Sequence, residues 1–271
     1  MELRIINLKS ITKLTQVALY SAMIIPKGKG VCKVDSGTYP FEGPSILFLT
    51  PFQKLNFTEV DVEDVKLLQF HGDFYCIELH QPEVACNGLL FNNVYLSPFI
   101  KLSTSELLKS RELFSSIENE LKNPDKSILT SYLQLFLAIA SRIKRAEVGD
   151  KLVSPGKDVK MEEFKELIDR HFLSKRRPSD YAKLLNLQMD SLTKRSKKYF
   201  TKSPSQLIHE RIIIEARREL HLTRKSVKAI AFTLEFKDEH YFSRFFKKEV
   251  GLSPQMFRQK AGISIIADLS I

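Results

Sequence analysis

The most constraining feature of this sequence is a degenerate internal duplication in its second half. The run Lys-Lys-Tyr-Phe-Thr-Lys-Ser-Pro at residues 197–204 recurs fifty positions later, at residues 247–254, as Lys-Lys-Glu-Val-Gly-Leu-Ser-Pro. Upstream residues of the two copies also match, some of them after a one-residue slip: Ala182 with Ala231, Leu185 with Leu234, Leu187 with Phe236, Leu192 with Phe242, and Lys194 with Arg244. Self-similarity of this kind predicts one structural unit that occurs twice.

In the second copy the hydrophobic spacing predicts two short helices joined by a tight turn. Ser226 can cap the first helix, which follows an i, i+3, i+4, i+7 apolar pattern, and Asp238 can cap the second. The core face of the second helix is predicted to hold Phe242, Phe245 and Phe246. Its opposite face carries Glu239, His240, Ser243, Arg244 and Lys247. A short helix, a turn and a helix with a polar, cationic face is the arrangement that places a recognition helix in a DNA major groove.

The first copy follows the same plan with a weaker core. Residues 181–185 form the supporting helix and residues 189–200 the candidate recognition helix, whose outward face offers Asp190, Thr193, Lys194, Lys197 and Lys198. Arg195 and Ser196 stand where apolar side chains would pack. Arg195 can lay its apolar stem along the core and expose its charged head. We therefore expect this copy to be the less stable or the less selective reader.

A single helix is predicted between the two copies. Pro204 suits the first turn of a helix over residues 204–222. Nineteen residues span roughly 28 Å at 1.5 Å per residue, which is close to the ~34 Å of one DNA turn. One chain could therefore read two successive major grooves.

The charge is confined to the half that carries the duplication. Residues 1–156 hold 17 basic and 17 acidic residues, whereas residues 157–271 hold 25 and 15, so the whole formal charge of +10 lies there. A basic surface is often only solvated, but an excess restricted to one domain suits a polyanion, of which nucleic acid is the commonest. The predicted partner is double-stranded DNA.

The first half has a different pattern, of short apolar or alternating runs separated by Gly and Pro. Residues 17–25, 31–34, 45–49 and 67–79 are predicted strands, broken at 26–28, 35–37, 41–44 and 71–73, which favours an antiparallel β-barrel or sandwich. Two helices follow within residues 102–146. The predicted class is α+β with two domains: residues 1–149, a linker at 150–159, an all-α DNA-binding domain at 160–262, and a tail at 263–271.

The second of those helices, residues 128–145, is apolar on two sides. One stripe contains Ile128, Tyr132, Leu135, Ile139 and Ile143, and the other contains Leu133, Leu137 and Ala140. Such a helix must be covered twice, either within its own domain or by its domain and a second subunit. The second of these outcomes is a homodimer through residues 105–146. Its interface would contain either the Leu133 and Leu137 pair or the Leu135 and Ile139 pair.

Over residues 161–260 the chain resembles the AraC/XylS family of bacterial transcription regulators. The resemblance is strongest over residues 211–258, where the run Ala-Arg-Arg-Glu-Leu at 216–220 resembles the family's linker helix and the run Tyr-Phe-Ser-Arg-Phe-Phe-Lys at 241–247 its C-terminal signature. It implies that Asp190, Thr193, Lys194, Glu239, His240 and Arg244 contact bases. It also implies a cupin-like N-terminal domain. Glu235 replaces the family's usual turn glycine and Ser196 its usual bulky apolar residue, which predicts strain in one turn and altered packing in the first copy.

Two other functions compete with a sequence-specific regulator. A metal-dependent cupin enzyme would need clustered ligands, but the N-terminal domain has only His71 and His80, with Glu78, and no HxH. An architectural protein without sequence preference would need wedge residues and uniform basicity. We therefore predict no catalytic residue, metal or cofactor. Small-molecule sensing, oligomerisation and binding of another protein all stay open for the N-terminal domain.

The remaining features predict a cytoplasmic protein with no membrane contact. Cys32, Cys76 and Cys86 are odd in number and lack CxxC spacing, so neither a disulfide framework nor a zinc site is indicated. The first ten residues lack a secretory-signal pattern, and no run approaches the ~20 apolar residues of a membrane span.

Overall fold

The computed structural model describes residues 3–8, 11, 18–75, 88–153 and 158–263, with only the backbone for 150–153. The chain divides into two compact units, Met1–Lys157 and Asp158–Ile271. Within the described residues, the first combines antiparallel sheets with two helices, and the second is helical. The predicted α+β class is confirmed.

The described part of the first unit contains two antiparallel sheets. A five-stranded sheet has the order β1-β7-β2-β5-β8 and a three-stranded sheet the order β4-β3-β6. The strands are β1 Leu3–Leu8, β2 Tyr20–Ile25, β3 Lys27–Val34, β4 Gly37–Glu42, β5 Ser45–Leu49, β6 Leu55–Glu63, β7 Val65–Phe70 and β8 Phe99–Lys101.

The larger sheet is buried on both faces, which explains why β2 and β5 are apolar almost throughout. Met23 and Leu47 point to the core shared with the smaller sheet, where Phe57 packs. Ala22 and Phe48 point the other way, into a core shared with two helices. The unit is therefore a β-sandwich with a helical layer on the outer face of one sheet.

That helical layer consists of α1, Thr104–Glu120, and α2, Lys126–Val153. Ser103 and Glu106 form a capping box that starts α1. In α2, Leu133 and Leu137 are completely buried in their own domain, which excludes this pair as one of the two predicted alternatives for an interface with a second subunit. The opposite stripe divides, because Ile139 is buried whereas Leu135 is 47% exposed.

Several predicted boundaries differ from the observed ones. The predicted break at residues 26–28 contains the start of β3, and the predicted break at 41–44 the end of β4. Gly28 lies within β3, whereas Pro26, Gly43 and Pro44 do lie between strands, so both breaks exist but are shorter than predicted. Helix α2 continues through 150–153, where the linker was predicted to begin. Residues 154–157, 76–79 and 264–271 lie outside the described residues, as do Cys76, Cys86, Glu78 and His80.

The second unit consists of seven helices within residues 158–263. They are α3 Val159–His171, α4 Pro178–Leu184, α5 Met189–Phe200, α6 Pro204–Leu222, α7 Val227–Thr233, α8 Glu239–Val250 and α9 Pro254–Ala261. Helix α6 contacts every other helix of this unit, and its bounds are those predicted for the connecting helix. Across the described ranges, no helix has the length and apolar character to cross a membrane.

Candidate nucleic-acid interface

The duplication corresponds to two helix-turn-helix units built on the same register. The first is α4 followed by α5, and the second is α7 followed by α8. Leu192, Ser196 and Phe200 are the buried residues of α5, and residues fifty positions later, Phe242, Phe246 and Val250, are the buried residues of α8. Both helices therefore turn the same face to the core and the same face to solvent.

The turn inside each unit has the same hydrogen bonds. In the first, Asn186 N donates to Lys183 O at 3.1 Å and Leu187 N to Ala182 O at 2.9 Å. In the second, the corresponding bonds run from Glu235 N to Phe232 O at 2.9 Å and from Phe236 N to Ala231 O at 2.8 Å. These are Schellman helix ends, which need a left-handed residue. Asn186 and Glu235 occupy that place, with φ of 54° and 58°.

Every predicted site residue lies on the solvent side of these two helices. On α5 and α8 the exposed ones are Asp190, Lys194, Lys197, Lys198, His240, Arg244 and Lys247, and the half-buried ones are Thr193, Glu239 and Ser243. The structure thus gives each unit one helix with a continuous polar face. Both faces are cationic toward the C-terminal end of the helix.

Two further exposed residues of α8 were not predicted from the sequence. Tyr241 is 55% exposed beside Arg244, and Lys248 is exposed. An aromatic residue in a Phe-rich run is easily assigned to the core, whereas Phe245, which was assigned there, is only half-buried. The fifty-residue register was a usable signal for Lys248, because it aligns with Lys198.

The two recognition helices, α5 and α8, begin differently. Asp238 caps α8, as predicted, by accepting hydrogen bonds from Tyr241 N at 2.7 Å and His240 N at 3.2 Å. These two bonds lower the pKa of the Asp238 carboxyl. Gln188 stands before α5 and makes no side-chain cap. The start of α8 is therefore the better anchored one.

The first unit is braced by polar contacts. Arg195 forms a two-pronged ion pair with Asp158, with N–O distances of 2.8 and 2.9 Å. Ser196 is fully buried and donates to Lys202 O at 2.7 Å. Tyr199 donates to Glu162 at 2.9 Å, and burial together with this bond raises the Tyr199 pKa to about 12. The altered packing that Ser196 implied is thus a hydrogen-bonded arrangement.

The second unit is braced by aromatic contacts. Phe236, at the turn, packs against Phe242 and Phe245, with ring centres 5.1 and 5.5 Å apart. His209 of α6 contacts Phe245 edge-to-face at 5.2 Å and lies 3.1 Å from the Glu249 carboxylate. The His209 side chain of the connecting helix therefore contacts α8 directly. Aromatic pairs of this kind stabilise by about 0.5–1.5 kcal/mol beyond their burial.

The first domain contains a cleft of about 590 Å³ between β4, β8 and α2. Phe41 and Phe99 supply its apolar wall, and Lys144 donates to Phe99 O at 2.6 Å and to Ser97 O at 3.0 Å. Ser45 also lines it, and the Ser45 hydroxyl is buried without a hydrogen-bond partner in the described structure. Burying such a group without a bond is costly.

Only some of the residues named in the cysteine and metal predictions lie in the described ranges. Cys32 is a free, buried cysteine whose pKa is raised to about 12 by burial. In the described ranges no group of three or more His, Cys, Asp or Glu side chains is placed to hold a metal ion. His71 lies beside Asp73, at 3.4 Å.

Residues 181–260 match a family model described as a helix-turn-helix domain. The chain is 21% identical over 253 residues to the HTH-type transcriptional activator RhaS of Escherichia fergusonii, covering 91% of this chain and 87% of that protein. It is 24% identical over 165 residues to RhaS of an Enterobacter species, covering 61% of this chain but only 59% of that relative. Among solved structures, apo ToxT from Vibrio cholerae aligns with 96% of this chain and 97% of its own, at 16% identity and a TM-score of 0.43.

Proposed function

We propose that this chain, whose C-terminal domain is a helix-turn-helix domain of the AraC/XylS type, is a transcription regulator that reads a specific DNA sequence with two helices. The observation that carries the proposal is the shared register of α5 and α8, which exposes a polar, cationic face on each. Helix α6 contacts both helices, so one chain can present both to one face of a duplex. A bacterial regulator of this type would act in the cytoplasm.

In the second unit we assign base reading to Glu239, His240, Ser243 and Arg244, and phosphate contact to Lys247. Arg244 is exposed, and its planar guanidinium can donate two hydrogen bonds to O6 and N7 of guanine. Lys247 is also exposed and lies one turn nearer the C-terminal end of the helix. A lysine there neutralises phosphate without reading sequence.

In the first unit the same register assigns base contact to Asp190, Thr193 and Lys194, and phosphate contact to Lys197 and Lys198. Lys194 corresponds to Arg244 but lacks the planar two-donor fork of arginine. Asp190 corresponds to His240. We propose that this helix contributes more to affinity and less to base selection than α8.

The test begins with selection of bound DNA from a random duplex library by the full chain. Arg244→Ala should then cost about 1–3 kcal/mol on the selected site and relax preference at one base position. Lys247→Ala is the matched control on the same face. It should weaken selected and random DNA alike and reduce the salt slope by roughly one counterion.

Circular dichroism and thermal melting must show that both variants are folded. If the library yields no enriched sequence, the chain is not a sequence-specific regulator. If Arg244→Ala weakens all sequences equally, base reading belongs to other side chains.

For the first domain we propose effector sensing, with the cleft at Ser45 and Lys144 as its place. We propose that a ligand bound in the cleft displaces the side chains that cover the buried Ser45 hydroxyl and supplies the hydrogen-bond partner that this hydroxyl lacks. The cleft is large enough for a small molecule. Thermal melting of the full chain against a metabolite library tests this, with Ser45→Ala as the variant. A stabilising compound that acts equally on Ser45→Ala would bind elsewhere.

We also propose a homodimer through residues 105–146, now limited to the exposed side of α2. Ile128 and Leu135 lie seven residues apart on that helix and are 43% and 47% exposed. Large apolar side chains at this spacing share a face. Sedimentation of the full chain at tens of micromolar, a generous range for a specific dimer, should show association that Leu135→Glu removes.

A further inference from the structure

Arg176 has an unusual position between the two helix-turn-helix units. It lies in the loop between α3 and α4, which leads into the first unit. Its Nη2 donates to Leu234 O at 2.5 Å, and its Nε donates to Leu173 O at 3.3 Å. Its guanidinium carbon lies 3.8 Å from the centre of the Phe236 ring. One side chain thus connects the entry of the first unit to the turn of the second.

The place that Arg176 contacts is the base of the second recognition helix. Leu234 is the C-cap of α7, Glu235 is the left-handed residue of the turn, and Phe236 packs against Phe242 of α8. The bond to Leu234 O satisfies a carbonyl at a helix end. The stack on Phe236 contacts the ring that holds α8. A shift of Arg176 would therefore be transmitted to α8.

The equivalent residue of the second copy makes a different contact. With the one-residue slip between the copies, Lys225 stands at the position equivalent to Arg176. Lys225 instead forms an ion pair with Glu219 of α6, at 2.9 Å. Arg176 is also half-buried, and burial lowers its pKa while the nearby Tyr241 and Glu235 oppose that shift. The Arg176 charge is thus partly desolvated, at a cost that its contacts must offset.

We infer that Arg176 is a positioning residue that fixes the second helix-turn-helix unit relative to the first, so that the chain binds two half-sites at only one spacing. This inference rests on the proposed function. Both units pack on α6, and a joint through one shared helix allows some tilt of each unit about it. The Arg176 contacts add a second point of attachment away from α6. Two points of attachment restrict the tilt that one allows.

The consequence for DNA binding follows from effective concentration. When two binding modules are held in the geometry of the site, the second binding event is favoured without any new contact. Adding one base pair between half-sites moves the second by about 3.4 Å along the duplex axis and turns it by roughly 35°, one step of a 10–10.5 bp turn. A rigid chain therefore loses much of its affinity for such a site. A chain with a loosened joint loses less, while its affinity for the best site falls.

The experiment measures binding of the full chain to the selected site, to versions with one base pair added or removed between half-sites, and to each half-site alone. We compare the affinity for the best spacing with the affinity for each altered spacing. For Arg176→Ala we expect the ratio of these two affinities to fall about tenfold. This fold-change corresponds to the free energy of a cation–π contact plus a charged hydrogen bond. Affinity for the isolated half-site of α8 should stay within twofold of the wild type, an allowance for measurement error.

Arg177→Ala is the matched control because it removes the same charge from the neighbouring, exposed position. It should keep the spacing ratio of the wild type. Arg176→Lys keeps the charge and one donor but loses the planar stack, so a partial loss of spacing preference is expected. If Arg176→Ala does not fold, Arg176→Lys carries the test.

Three results would overturn the inference. One is an unchanged spacing ratio in Arg176→Ala, or in Arg176→Lys when that variant carries the test. Another is an equal loss on every DNA, half-sites included, which would make Arg176 a phosphate contact. The third is the same spacing loss in Arg177→Ala. Failure of the library to yield any enriched site would instead refute the proposed function, so the two failures are distinguishable.

Discussion

The turn of the second unit should be stabilised by Glu235→Gly. Glu235 has φ of 58°, a left-handed conformation that costs a residue with a Cβ roughly 1–2 kcal/mol. Glycine avoids this cost but loses roughly 0.5–1 kcal/mol more conformational entropy on folding. The difference predicts a net stabilisation of about 0.5–1 kcal/mol. Glu235 is exposed, so its replacement creates no cavity.

Hydrogen exchange of the α7 and α8 amides in the full chain is the appropriate assay, because it reports opening of this region alone. A gain of about 0.5–1 kcal/mol slows exchange roughly two- to fivefold. Glu235→Ala keeps the strained conformation but removes the charge near Arg176, and should give no such slowing. Asn186→Gly, at the equivalent turn, should gain less because asparagine tolerates this conformation. Equal stabilisation by alanine and glycine would refute the strain argument.

Three further variants test other parts of the fold. Asp158→Ala removes the N-cap of α3 and the ion pair with Arg195. We expect the free energy of unfolding of the helical unit to fall by about 1–2 kcal/mol, which would lower its melting temperature. An unchanged melting temperature would mean that these contacts contribute nothing. The hydrogen bonds that lower the Asp238 pKa stabilise the fold fully above the ordinary pKa of 3.8 and are lost as pH falls below it. Exchange at the start of α8 should therefore differ between wild type and Asp238→Asn at neutral pH, and the gap should close in acid; a gap independent of pH would exclude the carboxylate charge as its source. Leu133→Glu, which buries a charge, should cost more than about 3 kcal/mol and unfold the first domain, whereas Leu135→Glu should leave it folded, as circular dichroism would show.

The helical half was predictable because its sequence pattern occurs in two copies. Ser226, Asp238 and Pro204 marked helix starts that the structure confirms, and each is a local signal that needs no distant contact. The polar faces of α5 and α8 followed from helical spacing alone. Exposure of Tyr241 did not, because an aromatic side chain is compatible with either face until its neighbours are known.

The sheet half was less predictable, since strand pairing joins distant residues. Strand β1 pairs with β7, more than fifty residues later, and nothing local in residues 3–8 indicates this. The two apolar stripes of α2 predicted coverage on two sides; the structure buries Leu133 and Leu137 completely, but in the other stripe Ile139 is buried and Leu135 is exposed. Only the position of the larger sheet, which buries Leu133 and Leu137, decides how much of that coverage comes from the chain itself.

The equivalent buried residues Ser196 of α5 and Phe246 of α8 should make the two helices respond differently to temperature and salt. The stability of an aromatic core weakens on cooling, because burial of apolar surface carries a large heat-capacity change. The first unit replaces part of that surface with the Ser196 hydrogen bond and the Arg195 ion pair, of which the ion pair is weakened by salt. Cold should therefore loosen α8 more than α5, and salt should loosen α5 more than α8. The relative stability of the two helix-turn-helix units would then shift with temperature and salt concentration.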